Sequence, residues 1–202
     1  MKKLMMIAVL LWAPYTYSDS NSDYLQTKLN TIRTMSASFS QVVKAKKRDV
    51  SRSSGTMALS RPGHFRWQTK RPMAQLVVAD GSRLWVYDVE LEQVSVKKQD
   101  THVGGAAALF LSGYNDTMTR DFNVSMLKKN NSEYFDLQAK SNKANFDRVK
   151  LVFEGDELHD IELFDQLGQH TDVHLKQVKT NLKLVPSLFT FTVPKGVDVV
   201  QQ

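Results

Sequence analysis

The sequence predicts a mainly β fold, in which an antiparallel sheet is accompanied by a few helices. Most of the chain consists of short segments where apolar and polar side chains alternate, as they do in half-buried strands. Turn-forming residues separate many of these segments, for example Asp80-Gly81 and Glu154-Gly155. Helix-length segments do not recur between consecutive strands, which argues against a parallel sheet built from β-α-β crossovers.

The first 18 residues have the organisation of a secretory signal. Lys2 and Lys3 precede the apolar run "LMMIAVLLWA", which is too short to span a bilayer, and Thr16 and Ser18 stand where a signal peptidase could cleave. We predict cleavage after residue 18, with an uncleaved N-terminal membrane anchor as the alternative. No internal repeat or low-complexity linker divides residues 19–202, so this part is predicted to form one domain.

An amphipathic helix is expected at the start of the mature chain. Leu25, Leu29, Ile32 and Met35 follow one another at spacings of four, three and three, which places them on one helical face. From Ala37 the period changes to two, with Phe39, Gln41 and Val43 on one side, so the helix is expected to give way to a strand near "MSAS".

Strands are expected along most of the remaining chain. The segments are "TMALS", "HFRWQ", "AQLVVADGSRLWVYD", "LEQVSVKK", "YFDLQAK", the long run 147–181 and "FTFTV". The alanine-rich stretch "HVGGAAALFLSG", residues 102–113, lies between glycines and is predicted to be a short helix. Two helices cover a curved sheet only loosely, so a concave apolar face beneath a removable lid is physically possible.

Charge and cysteine content restrict the classes of partner. The chain has no cysteine, so it forms no disulfides and offers no N-terminal thiol for lipid attachment. Its net charge of +6 is a weak indication of an acidic partner or an anionic membrane surface. Apart from one run at 44–48 the basic residues are scattered, which argues against nucleic-acid binding. The run "KAKKR" at 44–48 is interpreted as a solvated hairpin tip, with docking to a transporter or to an anionic membrane face as the alternative.

Motifs of catalysis and metal binding are missing from the sequence. It contains no G-x-S-x-G elbow, no phosphate-binding glycine loop and no H-E-x-x-H motif. His170 and His174 share a strand face with Asp172, but about 13 Å separates the two histidines along an extended chain, too far for one metal ion. His159 beside Asp160 has no evident nucleophile. We therefore expect no enzymatic activity, no metal and no cofactor.

Five segments occur in a specific order behind the signal peptide. They are "ASFSQ" (37–41), "RPGHFRW" (61–67), "VADGSRLWVYD" (78–88), "LEQV" (91–94) and "FTFTVPKGVDVV" (189–200). In this order and spacing they resemble the outer-membrane lipoprotein carrier (LolA) family of Gram-negative bacteria, over nearly all of the mature chain.

The resemblance implies both an architecture and a function. The fold would be an incomplete antiparallel β-barrel that covers an apolar cavity, with helices forming a lid. A periplasmic monomer of this kind accepts acylated lipoproteins from an inner-membrane lipoprotein-releasing ABC transporter. It carries their acyl chains in the cavity to a LolB-like outer-membrane lipoprotein receptor.

The resemblance also assigns roles to residues of this sequence. Arg61 falls at the family's lid arginine, which bonds to lid-helix backbone in the closed, empty form. The facing lid positions fall on Leu29, Leu111 and Ser112. The residues expected to line the acyl-chain cavity are Phe39, Met57, Leu59, Phe65, Trp67 and Trp85.

Other functions stay open at this point. The chain could be an acyl-chain or lipoprotein sensor of the same fold, an esterase using His159 and Asp160, or a structural envelope protein in which Phe65 and Trp67 are ordinary core. A LolB-like receptor fits less well, because the chain lacks an anchoring cysteine and a long apolar insertion between "FRWQTKRP" and "QLVVAD". The C-terminal extension "PKGVDVVQQ" also favours the soluble carrier.

Overall fold

A computed structural model describes residues 20–46, 48–99, 121–141 and 146–201. One α-helix, twelve strands and one short 3₁₀ helix make up this part of the chain. They are α1 (Ser20–Thr31), β1 (Thr34–Ala45), β2 (Arg48–Ser60), β3 (His64–Arg71), β4 (Gln75–Asp80), β5 (Arg83–Asp88), β6 (Gln93–Lys98), β7 (Phe122–Lys129), β8 (Ser132–Ala139), β9 (Phe146–Glu154), β10 (Glu157–Asp165), β11 (Gln169–Thr180), the 3₁₀ helix (Pro186–Phe189) and β12 (Asp198–Gln201).

All twelve strands belong to one open sheet. Their order is β12-β6-β5-β4-β3-β2-β1-β11-β10-β9-β8-β7, so β12 and β7 are the two edges. Every pairing is antiparallel except that of β12 with β6, which is parallel. The predicted antiparallel, mainly β architecture is confirmed, and the unpaired edges are those of an incomplete barrel rather than a closed one.

Strand alternation gives the sheet two different faces. One face, called the inner face here, carries the main hydrophobic core, and the buried side of α1 contributes Leu25 and Leu29 to that core. The outer face of β7 to β11 carries mostly polar and charged side chains, including the pairs Arg148–Asp136 and Lys150–Glu162. The face beneath α1 is therefore the apolar one.

A second, smaller core lies on the outer face of β3 to β6. The chain between β11 and β12 crosses this face and buries Phe189 against it, while Val78 and Val94 are fully buried beneath. The sequence prediction of a strand at "FTFTV" is wrong, since residues 190–194 form no strand and β12 begins later, at Asp198. The side chains of Phe189 and Phe191 pack on His64 and Trp85 at the outer face, and their backbone does not pair with a neighbouring strand.

The sequence pattern also misplaces the end of the first helix and two strands. Met35 is not helical but belongs to β1, although it shares the core with Leu29. The pattern missed β7 altogether and the first half of β2, where the polar run "RDVSRSS" conceals the strand.

Two sequence predictions lie outside the described residues, namely the signal peptide and the helix at 102–113. Within the described ranges, no helix is both long and apolar enough to cross a membrane.

Candidate functional site

Five of the six residues expected to line the cavity meet on the inner face. Phe65 and Trp67 alternate on β3, and the β2–β3 register sets them opposite Leu59 and Met57. Phe39 of β1 stacks on Trp67 with a ring-centroid distance of 3.8 Å. All five side chains are at most 5% exposed. The inner face of β1 to β3 is thus an apolar surface dominated by three aromatic rings.

Gly55 provides the space for this aromatic cluster. It lies on β2 opposite Phe39, and a Cβ atom built there would approach the Gln68 carbonyl oxygen to 1.9 Å and the Phe39 ring to 3.0 Å. No residue other than glycine fits such a close backbone approach. The Phe39 ring and the Gln68 carbonyl occupy the space that a side chain at residue 55 would need, which explains the glycine in the interior of this strand.

Trp85 does not belong to this site, and the expectation that it lines the cavity is wrong. In the β4–β5 register Trp85 pairs with Val78, whereas its neighbour Leu84 pairs with Ala79 on the inner face. Trp85 consequently points to the outer face, where its ring packs on Phe191 at 5.5 Å. Trp85 must lie on the face opposite to Leu84, because side chains one residue apart on a strand point to opposite faces.

The helix α1 lies over the inner face and is anchored at its buried side. Leu25 and Leu29 are 0% and 1% exposed. Tyr24 stacks on Phe135 of β8, with 6.0 Å between ring centroids. Leu29, which the resemblance placed at the lid, is therefore on the underside of the helix that roofs the sheet.

Arg61 lies at the start of the β2–β3 connection, next to the end of α1. Its backbone N–H donates to the carbonyl of Arg33 at 2.8 Å. Its side chain is partly buried, and burial lowers the pKa of the guanidinium below its ordinary value. The Nε–H group is buried and donates to no partner among the described residues. Leu111 and Ser112 lie outside those residues, so the contact of Arg61 with the lid stays a prediction.

A polar cluster that sequence reasoning missed fixes α1 to β8 and to the turn between β9 and β10. Glu133 of β8 is only 5% exposed, yet it stands on the apolar inner face. Tyr24 donates its hydroxyl to Glu133 at 2.9 Å, and the Lys28 Nζ lies 3.0 Å from Glu133 Oε2. Lys28 also donates to the Gly155 carbonyl at 2.7 Å and lies over the Phe153 ring. We call Tyr24, Lys28 and Glu133 the helix anchor.

The ionisation of the helix anchor reflects its burial and its internal charge balance. Burial opposes the charged form of Glu133, but hydrogen bonds and charge from Lys28 and Tyr24 outweigh it, so the pKa of Glu133 is lowered. Burial likewise opposes charge on Lys28, and Glu133 more than compensates, so the pKa of Lys28 is raised. The hydrogen bond to Glu133 raises the pKa of Tyr24. The anchor therefore holds a buried anion and cation together at neutral pH.

Asn181 ties the other end of α1 to the sheet. Its side-chain amide donates to the Thr31 carbonyl at 2.8 Å, and its side-chain oxygen accepts from the Arg33 N–H at 2.8 Å. Its own backbone N–H donates to the Thr34 carbonyl at 2.8 Å. Asn181 has a φ of 58°, a left-handed conformation that asparagine adopts more readily than most residues. The helix stops where these bonds satisfy its terminal backbone groups.

His170 and His174 on the outer face lie next to carboxylates, and neither the His170–His174 metal pair nor the His159–Asp160 dyad considered from sequence is formed. His170 Nε2 lies 2.7 Å from Asp172 and 3.4 Å from Glu162, while His174 pairs with Asp160 at 2.7 Å. Asp160 therefore faces His174 and not His159.

His170, Glu162 and Asp172 place possible metal-ligand atoms within 4.8 Å of one another. Both carboxylates already have a lysine partner, since Lys44 contacts Asp172 at 2.5 Å and Lys150 contacts Glu162 at 3.2 Å. A cation would have to displace these ammonium groups, so the arrangement fits a charged network across four strands better than a metal centre.

Sequence and structure comparisons agree with this geometry. The sequence profile described as "Outer membrane lipoprotein carrier protein LolA" matches residues 30–192. An "Outer-membrane lipoprotein carrier protein" of Legionella pneumophila (strain Corby) is 57% identical over 202 residues, covering 100% of both chains. A protein of the same name from Dechloromonas aromatica is 39% identical over 180 residues, covering 88% of this chain and 86% of the relative.

Among solved structures, an uncharacterised conserved protein from Thermus thermophilus superposes with a TM-score of 0.55. It is 12% identical, and the match covers 89% of this chain and 99% of that one. This likeness shows a shared fold. The extent of the profile match and the identity to the carrier proteins establish that the chain belongs to the outer-membrane lipoprotein carrier (LolA) family.

Proposed function

We propose that the protein is a periplasmic carrier that binds the acyl chains of lipoproteins against the inner face of its sheet and shields them from water. The observation that carries this proposal is an aromatic surface, Phe39, Phe65 and Trp67, which shares the buried inner-face core with the apolar side of α1 in a member of the carrier family. The protein is not expected to catalyse a reaction, because carrier proteins of this family act as chaperones.

The physical need for such a carrier is large. Three acyl chains of ordinary length contain on the order of 45 methylenes, and exposing them to water costs roughly 35 kcal/mol. Non-covalent affinity, however, saturates near about −20 kcal/mol. A useful carrier must therefore bind its cargo strongly enough to cross the aqueous compartment and weakly enough to surrender it.

Cargo entry requires α1 to move. Phe65, Leu25 and Leu29 are at most 1% exposed and belong to one buried apolar cluster, so the inner face offers no open apolar surface at these residues while α1 stays in place. Acyl chains can replace the helix only when its contacts with the sheet are broken. The described contacts include the helix anchor and Asn181, and the lid contact of Arg61 would add to them.

These contacts lower the net affinity of the carrier for its cargo. Each hydrogen bond to a charged group stabilises the closed state by about 1.5–3 kcal/mol. Breaking them on loading subtracts that energy from cargo binding, and remaking them on unloading favours release. Polar contacts that stabilise the closed state thus weaken cargo binding without reducing the apolar surface that the cargo contacts.

The partners follow from the same function. We infer that an inner-membrane lipoprotein-releasing ABC transporter supplies the cargo and that a LolB-like outer-membrane receptor accepts it. The absence of cysteine supports a freely diffusing periplasmic protein between these two membranes, since the chain has no thiol at which to attach a lipid.

A transfer assay tests the proposal. The exported protein, purified from the periplasm, is added to transporter proteoliposomes holding a labelled lipoprotein, with and without ATP. We expect an ATP-dependent, soluble one-to-one complex. No soluble complex with a folded protein would refute the carrier function.

A matched pair of variants locates the binding surface. Phe65→Leu removes an aromatic ring from the inner face, and Phe191→Leu removes one from the outer-face core. Both should lower stability by about 1 kcal/mol, but only Phe65→Leu should weaken lipoprotein loading. Equal loading of the two variants would place the cargo elsewhere.

A further inference from the structure

Two hairpin tips lie side by side at the end of the sheet away from Arg61. The β1–β11 register pairs Ala45 with Gln169, so the β1–β2 tip neighbours the β10–β11 turn. Arg61 and the C-terminal end of α1 lie at the other ends of these strands. We call residues 44–46 and 48–52 together with 165–169 the cationic tip.

Positive charge is concentrated in the part of the chain that leads to this tip. Residues 34–71 contain nine lysines and arginines and one acidic residue, a net charge of +8, whereas the whole chain has +6. The remaining residues are therefore net acidic. Arg61 lies at the opposite end of these strands, but in the tip itself four cations (Lys44, Lys46, Arg48, Arg52) outnumber two acidic residues (Asp49, Asp165), which favours an anionic partner there.

Part of this charge has no acidic partner among the described residues. Lys44 and Arg52 have acidic neighbours, Asp172 and Asp49. Lys46 and Arg48, in contrast, are exposed and form no ion pair with any of the described residues. The tip therefore presents cations that the rest of the described chain does not neutralise.

Apolar side chains accompany these cations. Leu167 is 85% exposed on the β10–β11 turn. The turn is held rigidly, because Asp165 Oδ1 accepts the backbone N–H groups of Leu167 at 2.9 Å and Gln169 at 2.8 Å. On the neighbouring tip Val50 is 60% exposed at a bulge, where the register between β1 and β2 shifts. Two apolar side chains thus project beside unpaired cations.

We propose that the cationic tip docks the protein on an anionic phospholipid surface. Cations beside an acidic headgroup layer gain electrostatic attraction, and exposed apolar side chains on adjacent turns can enter the boundary between headgroups and acyl chains. An acidic protein surface would also attract the cations, but it would not explain why Leu167 is held almost fully exposed on its turn. The inference goes beyond the carrier function and does not depend on cargo.

Vesicle co-sedimentation tests this inference with the exported, cargo-free protein. Vesicles of equimolar phosphatidylglycerol and phosphatidylcholine are compared with phosphatidylcholine alone, at low and at high salt. We expect binding to the anionic vesicles only, weakened by salt. Replacing both free cations, Lys46→Gln with Arg48→Gln, should lower the partition coefficient about 25-fold, since each contributes roughly fivefold. Leu167→Ser should lower it about tenfold.

Matched controls lie on the same molecule. Lys176 and Lys179 are exposed, unpaired among the described residues and up to roughly 33 Å along β11 from the tip. Lys176→Gln with Lys179→Gln removes the same charge and should cost less than about fivefold in partitioning. Leu182, 53% exposed near the end of β11, provides the control Leu182→Ser, which should bind normally.

Several outcomes would overturn the inference. Equal losses for tip and control variants would show that net charge alone drives binding, and equal binding to neutral and anionic vesicles would exclude headgroup charge. If the protein binds no vesicles but the tip variants accept less lipoprotein from the transporter, the tip contacts a protein instead. Thermal unfolding of each variant verifies that it is folded.

Discussion

The helix anchor makes a quantitative prediction about how firmly α1 is held. Glu133→Gln removes a negative charge that is buried beneath the helix, with 7% of the Glu133 side chain exposed. The amide oxygen of glutamine still accepts the Tyr24 hydroxyl. Lys28, of whose side chain only 10% is exposed, would keep the Gly155 carbonyl but lose its closest carboxylate. The substitution thus removes the charge that pairs with Lys28 and with the more exposed Lys128, with little change in shape, and only a double-mutant cycle separates the Lys28 contribution.

The expected cost is about 2 kcal/mol, within the range of roughly 1.5–3 kcal/mol for a hydrogen bond to a charged group. For a domain of this size it corresponds to a fall in Tm of about 4–8 °C. If α1 opens independently of global unfolding, the same energy raises the open population about 30-fold. The protection of α1 amides against hydrogen exchange should fall by that factor.

The assay is hydrogen exchange combined with a double-mutant cycle. Lys28→Met, Glu133→Gln and the double variant together isolate the energy of the pair. Asp136→Asn is a matched control, since Asp136 lies on the same strand but pairs with Arg148 on the outer face. It should cost at most about 1 kcal/mol and leave α1 exchange unchanged. A coupling energy below about 0.5 kcal/mol would refute the reasoning.

Acid should reproduce the effect of this substitution. The pKa of Glu133 in the folded state is below its ordinary value of 4.5. Its stabilising contribution is therefore present above pH 4.5 and is lost as the pH falls through the lower folded value. Protection of α1 in the wild type should decline on acidification below pH 4.5, and Glu133→Gln should lack this component.

Three further predictions concern the lid, a turn and the strand packing. Arg61→Leu should accept lipoprotein from the transporter but pass it poorly to receptor-bearing membranes, because the closed state would lose the proposed contact of Arg61 with the lid; equal transfer rates would contradict this. Asp80 is partly buried, which opposes its charge, but hydrogen bonds from Trp85, Arg83 and Ser82 lower its pKa to about 2. Asp80→Asn should therefore cost about 2 kcal/mol at neutral pH and much less near pH 2, as measured by urea unfolding at both; a cost independent of pH would disprove the electrostatic origin. Gly55→Ala should cost more than about 3 kcal/mol, because the Cβ meets the Gln68 carbonyl at 1.9 Å. Gly196→Ala, with a φ of 85° and no atom within 4 Å, should cost only about 1–2 kcal/mol; the reverse order in thermal melts would show that β2 and β3 can separate freely.

The aromatic part of the site was predictable because a strand has a strict period. Phe65 and Trp67 two residues apart must share a face, and the register then brings Leu59 and Met57 to them. The same rule explains the error at Trp85. Trp85 lies on a different strand, and its face depends on the register between β4 and β5. The spacing of residues within β5 does not reveal that register.

The helix anchor was not predictable from local sequence. Tyr24 and Glu133 are 109 residues apart, and a lone glutamate within "SEYFDLQAK" looks like a solvent-facing residue. Its burial follows from alternation with Phe135 on β8, and that strand's inner face becomes known only when α1 is placed over it. One usable signal existed, since Glu133 shares its parity with Phe135 and Leu137, both apolar.

The pairing of β1 with β11 has a consequence for how the protein acquires its structure. These strands are joined at the centre of the sheet although Ala45 and its partner Gln169 are far apart in the sequence. Contacts of such long sequence separation form slowly, since the intervening chain must first be brought together. The proposed function requires export, in which the chain emerges N-terminus first, so Phe39, Phe65 and Trp67 would enter the periplasm long before the strand that completes their sheet. Until residues 169–180 have crossed, the proposed binding surface would be exposed to water, and the unfinished chain would be prone to aggregate through it.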